Sequence, residues 1–257
     1  MKKIDVNGVS LWHFEILAKE SGVKHFVSDR RSVAAGKEFT LSYSSSPDKL
    51  EIQNNRSLLA RAMGVEEMRL YFPSQVHKTN IVNVAARTMQ SELQETDALI
   101  TNEKGVCIAV MSADCVPILL YDRKNNAVAA IHSGWRGTVA RILEKTLNEM
   151  KLKFGTQGED LIACIGPSVC QDSYEVGEEV MQEVTNAFGK EAGLLIPQQN
   201  NKAKLDLWKA NELQLREFGV RPSAIEISDL CTVKNNNSFF SARKGDTGRF
   251  AAGIMLK

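Results

Sequence analysis

Two histidines and one cysteine in the middle of this chain, His77, Cys115 and His132, each stand at the end of a largely apolar run. The segments are Pro-Ser-Gln-Val-His at 73–77, Met-Ser-Ala-Asp-Cys at 111–115 and Ala-Ile-His at 130–132, so each polar residue falls where a strand should meet a loop. Imidazole nitrogen and thiolate sulfur suit zinc, and three such donors leave a fourth tetrahedral position for water, as in a catalytic site. The ligands lie 38 and 17 positions apart and match no compact zinc motif such as CxxC or HExxH, so residue type rather than spacing carries this reading. The same residues could instead pack, Cys115 as a small buried hydrophobe and the histidines as hydrogen-bonded strand ends. A further use is a Cys115 nucleophile with His132 as its base. Asp114, beside the cysteine, could serve as acid or base, or brace the loop that carries Cys115.

A second kind of chemistry is anion binding. The stretch His-Ser-Gly-Trp-Arg-Gly-Thr at 132–138 joins a buried strand to a helix, and its glycines let the backbone approach a ligand closely. Arg136, at the expected helix start, would add a bidentate fork to the free N–H groups there. The stretch 241–249, Ser-Ala-Arg-Lys-Gly-Asp-Thr-Gly-Arg, brings three cations, Arg243 among them, and two glycines into one short loop between expected strands. His13 and His25, in alternating strand-like segments, read as structural, and Cys107, Cys164, Cys170 and Cys231 as packing thiols.

The elements that must hold these residues are legible in part. Asn7-Gly8 amid alternating residues predicts a hairpin with a type I′ turn. A helix should span about 48–63, capped by Ser46 or Asp48, closed by Gly64, with Leu50, Leu58, Leu59 and Met63 on its apolar face. Strands are expected at 69–72, 81–85, 106–112, 118–121, 127–132, 161–165, 225–228 and 250–256, and helices at 138–154, 178–188 and 207–218. Strands come in groups rather than in strict alternation with helices, which favours an α+β chain of packed sheets with helices outside over a Rossmann or TIM pattern. No linker or repeat divides the chain, so residues 1–257 are read as one domain.

Composition narrows the function. The 257 residues, 43% hydrophobic, can supply a sizeable core. A formal charge of +1 provides no long-range field toward nucleic acid or anionic lipid. The most apolar stretch, 106–121, is broken by Ser112, Asp114 and Pro117, so no membrane span is expected. The N-terminus alternates polar and apolar residues, unlike an export signal, and five cysteines make an odd count with no disulfide framework. Reduced thiols and a cytoplasmic location follow as expectations.

Together, QVH at 75–77, TDALIT at 96–101, SADC at 112–115 and HSGWRGT at 132–138 resemble the laccase-domain family, also called multicopper polyphenol oxidase-like and zinc-dependent purine nucleoside phosphorylase. The resemblance runs on through IGPSV at 165–169, YEVG at 174–177, DLWKAN at 206–211, CT at 231–232 and FFSARKGDTGR at 239–249, covering roughly residue 23 to the last. It implies a four-layer α/β/β/α sandwich with mixed sheets and one zinc on His77, Cys115 and His132. It also implies phosphorolysis of adenosine, inosine, guanosine and methylthioadenosine, together with adenosine deamination. Arg136, Arg243 and Arg30 are then the phosphate candidates. The family names carry two other readings, a copper-dependent polyphenol oxidase and an editing factor for peptidoglycan precursors. Multicopper chemistry needs more histidines than the four present. Lys78 follows QVH where the family often has Gly, and the stretch 29–32 only loosely matches the family's TRxGGVS.

Overall fold

The computed structural model describes residues 1–31, 38–45 and 48–257, and within them two six-stranded mixed sheets lie face to face. The first sheet runs in the order β1 (Lys2–Val6), β2 (Val9–His13), β3 (Val23–Ser28), β15 (Phe250–Leu256), β7 (Cys107–Ser112) and β4 (Leu70–Tyr71). The second runs β14 (Ile225–Ile227), β10 (Leu161–Ile165), β8 (Val116–Asp122), β9 (Ala127–Ser133), β6 (Ala98–Thr101) and β5 (Ile81–Asn83). A small third sheet pairs β11 (Glu175–Val176), β13 (Lys202–Leu205) and β12 (Leu195–Gln198).

Side-chain alternation divides the central strands between two cores. Val27, Ile108, Val110, Phe250 and Ile254 of the first sheet meet Leu99, Leu119, Tyr121, Val128 and Ile162 of the second. On the outer face of the first sheet, Phe26, Cys107, Ala109 and Met255 pack on Leu59, Ala60 and Met63 of helix α2 (Lys49–Met63). Beyond the second sheet, Ile118, Leu120, Ala129 and Ile131 meet helices α4 (Ile142–Phe154), α5 (Glu178–Phe188) and α6 (Leu207–Glu217). This is the four-layer α/β/β/α arrangement expected from the sequence. It explains why β8 and β9 read as unbroken apolar runs: both faces of each strand are buried. No helix among the described residues is long and apolar enough to cross a membrane.

Local signals fared unevenly. Asn7 and Gly8 take φ of 54° and 80°, and Val6 pairs with Val9 across the tight turn. Asp48 caps α2 by accepting from Glu51 N at 2.9 Å, and Gly64 ends it in the left-handed region at φ 73°; Ser46, the other cap candidate, lies outside the described residues. Leu50 does not join the apolar face but is 66% exposed, because α2 turns it away from the sheet that buries Leu59. The single helix expected over 138–154 is two, α3 (Trp135–Val139) and α4. Arg141 between them takes φ 58°, and its guanidinium pairs with Glu144 and Glu217. Strand 81–85 stops at Asn83, and the loop 241–249 carries a helical turn at Ala242–Lys244 and follows turns rather than a strand. The strand-like segment around His25 is β3, whereas helix α1 (Glu15–Ala18) and strands β6, β11, β12 and β13 had no counterpart among the expected elements.

The contrast on α2 is measurable. Leu59→Ala should lower the unfolding free energy by about 2–5 kcal/mol, and Leu50→Ala by less than about 0.5 kcal/mol, in urea titrations of the two variants. Equal losses would contradict the orientation of α2.

Candidate metal centre

The chain crosses from the first sheet to the second twice at one end of the sandwich. Residues 113–115 link β7 to β8, and residues 72–80 link β4 to β5. Cys115 ends the first crossing, His77 sits on the second, and His132 is the penultimate residue of β9, opposite Pro117 of β8. Such reversals force unusual backbone: Asp114 takes φ 85° and His77 φ 61°. Gln75 fixes the second crossing like a one-residue strand, its amide donating to Met111 O and accepting from Met111 N, both at 2.8 Å. The Ser112 hydroxyl closes the first by donating to Cys115 O at 2.5 Å.

Asp97, just before β6 and fully buried, joins these pieces. Its carboxylate accepts from the backbone N–H groups of Val76 (3.2 Å), His77 (2.9 Å) and Lys78 (2.9 Å), and lies 2.8 Å from His132 Nδ1. Burial alone would raise this carboxyl, but the hydrogen bonds from His132 and Lys78 and the charge of His132 hold it below its ordinary value. With Nδ1–H donated to Asp97, Nε2 of His132 is the nitrogen left for a ligand. In the metal-free protein, burial opposes charge on both Cys115 and His132, yet their mutual attraction wins. It draws the thiol down to about 6, with help from His77, and the imidazole up to about 9, with help from Asp97.

The donor atoms of His77, Cys115 and His132 lie within 4.8 Å of one another. Small side-chain movements would bring them onto one ion at the roughly 2.0–2.3 Å typical of zinc. The two imidazoles stand edge to face, ring centroids 4.8 Å apart. Gly134 belongs to this fit, since a Cβ there would lie 2.9 Å from Cys115 Sγ and 3.2 Å from the His77 ring. The three residues therefore form a group able to hold a metal ion, and they line a cavity of about 740 Å³. Its walls include Tyr43, Phe72, Asp114, Arg243 and Arg249.

Residues 24–257 match the family described as multi-copper polyphenol oxidoreductase laccase. A purine nucleoside phosphorylase of Bacteroides thetaiotaomicron is 39% identical, the alignment covering 95% of each chain. The chain belongs to this laccase family. A protein named adenosine deaminase RL5, from an unknown prokaryotic organism, is 36% identical over 82% of this chain and 84% of its own. The crystal structure of the Bacillus licheniformis hypothetical protein YfiH has the same fold, with a TM-score of 0.89 at 24% identity over 99% of each chain.

Against this laccase-family background, the other residues singled out in the sequence divide. Asp114 lines the cavity, but both carboxylate oxygens are engaged: Oδ1 accepts from the Thr232 hydroxyl at 2.5 Å and Oδ2 from Arg243 N at 2.8 Å. Arg243 lies at the cavity wall, its guanidinium over the Tyr174 ring and donating to Glu175 O at 3.0 Å. Arg136 is exposed on the short helix α3, stacked over Trp135 at 4.2 Å, and is not among the described residues lining the cavity. It still acts at a distance: burial and the Cys115 charge push the Tyr174 phenol up to about 12, while Arg243 and Arg136 oppose that rise. Arg30 is not brought to the cavity; its guanidinium pairs with Glu38 and Asp246 and donates to Asn236 O. Ser32, at the end of the loosely matched stretch 29–32, lies outside the described residues.

Sequence reasoning passed over Asp97 and Gln75 as site residues, and met Arg249 only as one of the three cations of the 241–249 loop. The signal for Asp97 was an acid at the head of the apolar run 98–100, a position where a buried carboxylate needs several donors. Asp97→Asn would turn a donor group toward N–H groups that need an acceptor. Metal affinity should fall by roughly tenfold to a hundredfold, read by competition with a chromogenic chelator. Gly134→Ala should also weaken metal binding while the circular dichroism spectrum stays unchanged. Undiminished affinity in both would remove Asp97 and Gly134 from the centre.

Proposed function

We propose that this chain is a zinc-dependent purine nucleoside phosphorylase, accepting adenosine, inosine, guanosine or methylthioadenosine, that also deaminates adenosine. The observation that carries this reading is one cavity with two chemistries on its wall: the His77, Cys115 and His132 donor group, and the cations Arg243 and Arg249. The relatives named for phosphorolysis and deamination support the substrate class. The donor set favours zinc over copper, since two imidazoles and a thiolate suit zinc. The remaining histidines, His13 and His25, stack on each other at 4.6 Å between β2 and β3 and belong to no cluster with the three ligands.

Zinc in such a site supplies Lewis-acid polarisation and a water that ionises near neutral pH. The chain's own residues do the rest. Asp97 holds the His132 ring and its tautomer, and Asp114 holds the crossing that ends in Cys115. Arg243 offers a guanidinium for charge-assisted hydrogen bonds to phosphate, placing it for attack on the anomeric carbon. Tyr43, exposed at the cavity wall, offers an aromatic surface for a purine. The engagement of both Asp114 oxygens favours bracing over proton transfer.

The test is a nucleoside panel incubated with and without phosphate, with products identified and metals quantified in the same preparation. Inosine should release hypoxanthine only with phosphate, adenosine should yield inosine and ammonia without it, and zinc should approach one per chain. Zinc-loaded protein that turns over no nucleoside would overturn the reading. Cys115→Ala should lose both zinc and activity; an inactive variant that keeps its zinc would favour a cysteine nucleophile.

Arg243→Ala should raise the phosphate concentration needed for inosine cleavage by about tenfold to a hundredfold, the effect of losing one charge-assisted contact. Lysine should restore it only in part, because a point charge lacks the planar fork. Arg136→Ala should have the smaller effect. The reverse ranking would return the phosphate anchor to Arg136.

A further inference from the structure

Cys170 and Cys231, read from the sequence as packing thiols, lie together at a second pocket of about 360 Å³, which Asp172, Trp208 and Lys234 also line. Two loops meet there. Ser168 N donates to Leu230 O, Thr232 N donates to Ser168 O at 3.0 Å, and Lys234 pairs with Asp172 at 2.9 Å, so the segments are already fastened in register. Cys170 N donates to Cys231 Sγ at 3.3 Å, and the Ser173 hydroxyl lies 3.5 Å from one sulfur and 3.7 Å from the other. Adding one N–Cα bond puts the Cys170 Cα within about 4.8 Å of Cys231 Sγ, a span that a disulfide accommodates. Cys107 and Cys164 differ: they sit inside the core, where burial pushes both thiols up, Cys107 to about 12.

We propose that Cys170 and Cys231 form a redox-active dithiol that a hydroperoxide oxidises reversibly to a disulfide. Cys231 is the attacking sulfur: burial would raise its thiol, but hydrogen bonds from Cys170, Lys234 N and Ser173 draw it below its ordinary value. Its thiolate attacks one peroxide oxygen, the S–O bond forms, the O–O bond breaks, and the departing oxygen takes a proton to leave as water or an alcohol. The Cys170 sulfur then attacks the resulting sulfenic acid; the S–S bond forms, the S–O bond breaks, and a second water leaves. The two thiols give up two electrons and the hydroperoxide accepts them. The site also has a line to the metal centre. Val169, next to Cys170, donates to Asp114 O at 3.0 Å, and Thr232, next to Cys231, donates to the Asp114 carboxylate.

The proposal is independent of the nucleoside reading, and its test uses intact, zinc-loaded protein so that Cys115 is held by metal. Hydrogen peroxide should lower the mass by about two units and yield a Cys170–Cys231 linked peptide, and dithiothreitol should reverse both. In Cys170→Ser, oxidation of Cys231 should halt at the sulfenic acid, trapped by dimedone. Folded protein in which both thiols stay separately alkylatable, or in which Cys231 passes to sulfinic acid without cross-linking, would overturn the proposal.

Discussion

The Asp97 carboxylate is the constraint on which the rest of the site depends. A buried carboxylate is costly unless several donors reach it, and here four do, three from consecutive backbone amides and one from an imidazole. The loop and the strand need the carboxylate as much as it needs them. Without an acceptor there, the N–H of His77, in a left-handed conformation unusual for a non-glycine residue, would be unsatisfied, and the 73–78 loop would have little reason to hold that geometry. One side chain therefore sets the backbone that carries His77 and the ring orientation of His132. It lies at the head of β6, which pairs directly with β9, so the His132 position is inherited from sheet register.

The two facing sheets explain why His77, Cys115 and His132 are far apart in sequence. A catalytic zinc site on a single helix can use close spacings because the helix brings i and i+4 together. Here the site sits where the chain leaves one sheet and enters the other, so its parts come from whatever segments cross at that end. The pairing of Phe250 with Ser112 is decisive, because it brings the 241–249 loop beside the Cys115 crossing. Arg243 and Arg249 thus reach the cavity through strand pairing between residues far apart in sequence.

That geometry also sets what could be read beforehand. Local signals were legible: the Asn7-Gly8 turn, the Asp48 and Gly64 caps of α2, the apolar runs of β7 to β10, and residue types suited to a metal at positions 77, 115 and 132. Contacts that depend on sheet register were not. Arg243 could be named as a cation but not located, Arg30 could not be seen to pair its guanidinium with Glu38 and Asp246, and Arg136, at a helix start as expected, could not be seen to lie off the cavity wall. Leu50 fits a helical apolar stripe by spacing alone, yet in the first turn of α2 it stays exposed. The four-layer fold came from ordered motifs and family resemblance, because period-2 alternation vanishes in strands buried on both faces.

Asp114 completes the logic that Asp97 begins. Its positive φ allows the sharp passage from β7 to β8, and its carboxylate ties that passage to Thr232 on one side and to the backbone of Arg243 on the other. Its carbonyl accepts from Val169, so three loops from distant parts of the chain converge on one residue next to Cys115. A displacement of the loops at Cys170 and Cys231 would therefore reach Cys115 through hydrogen bonds, without any movement of the sheets. The same residue couples the 241–249 loop to the crossing that carries Cys115, since Arg243 cannot shift its backbone without releasing Asp114. The two acids divide the work: Asp97 fixes the His132 ring and the His77 backbone from the head of β6, and Asp114 fixes the crossing that carries Cys115 from the loops around it.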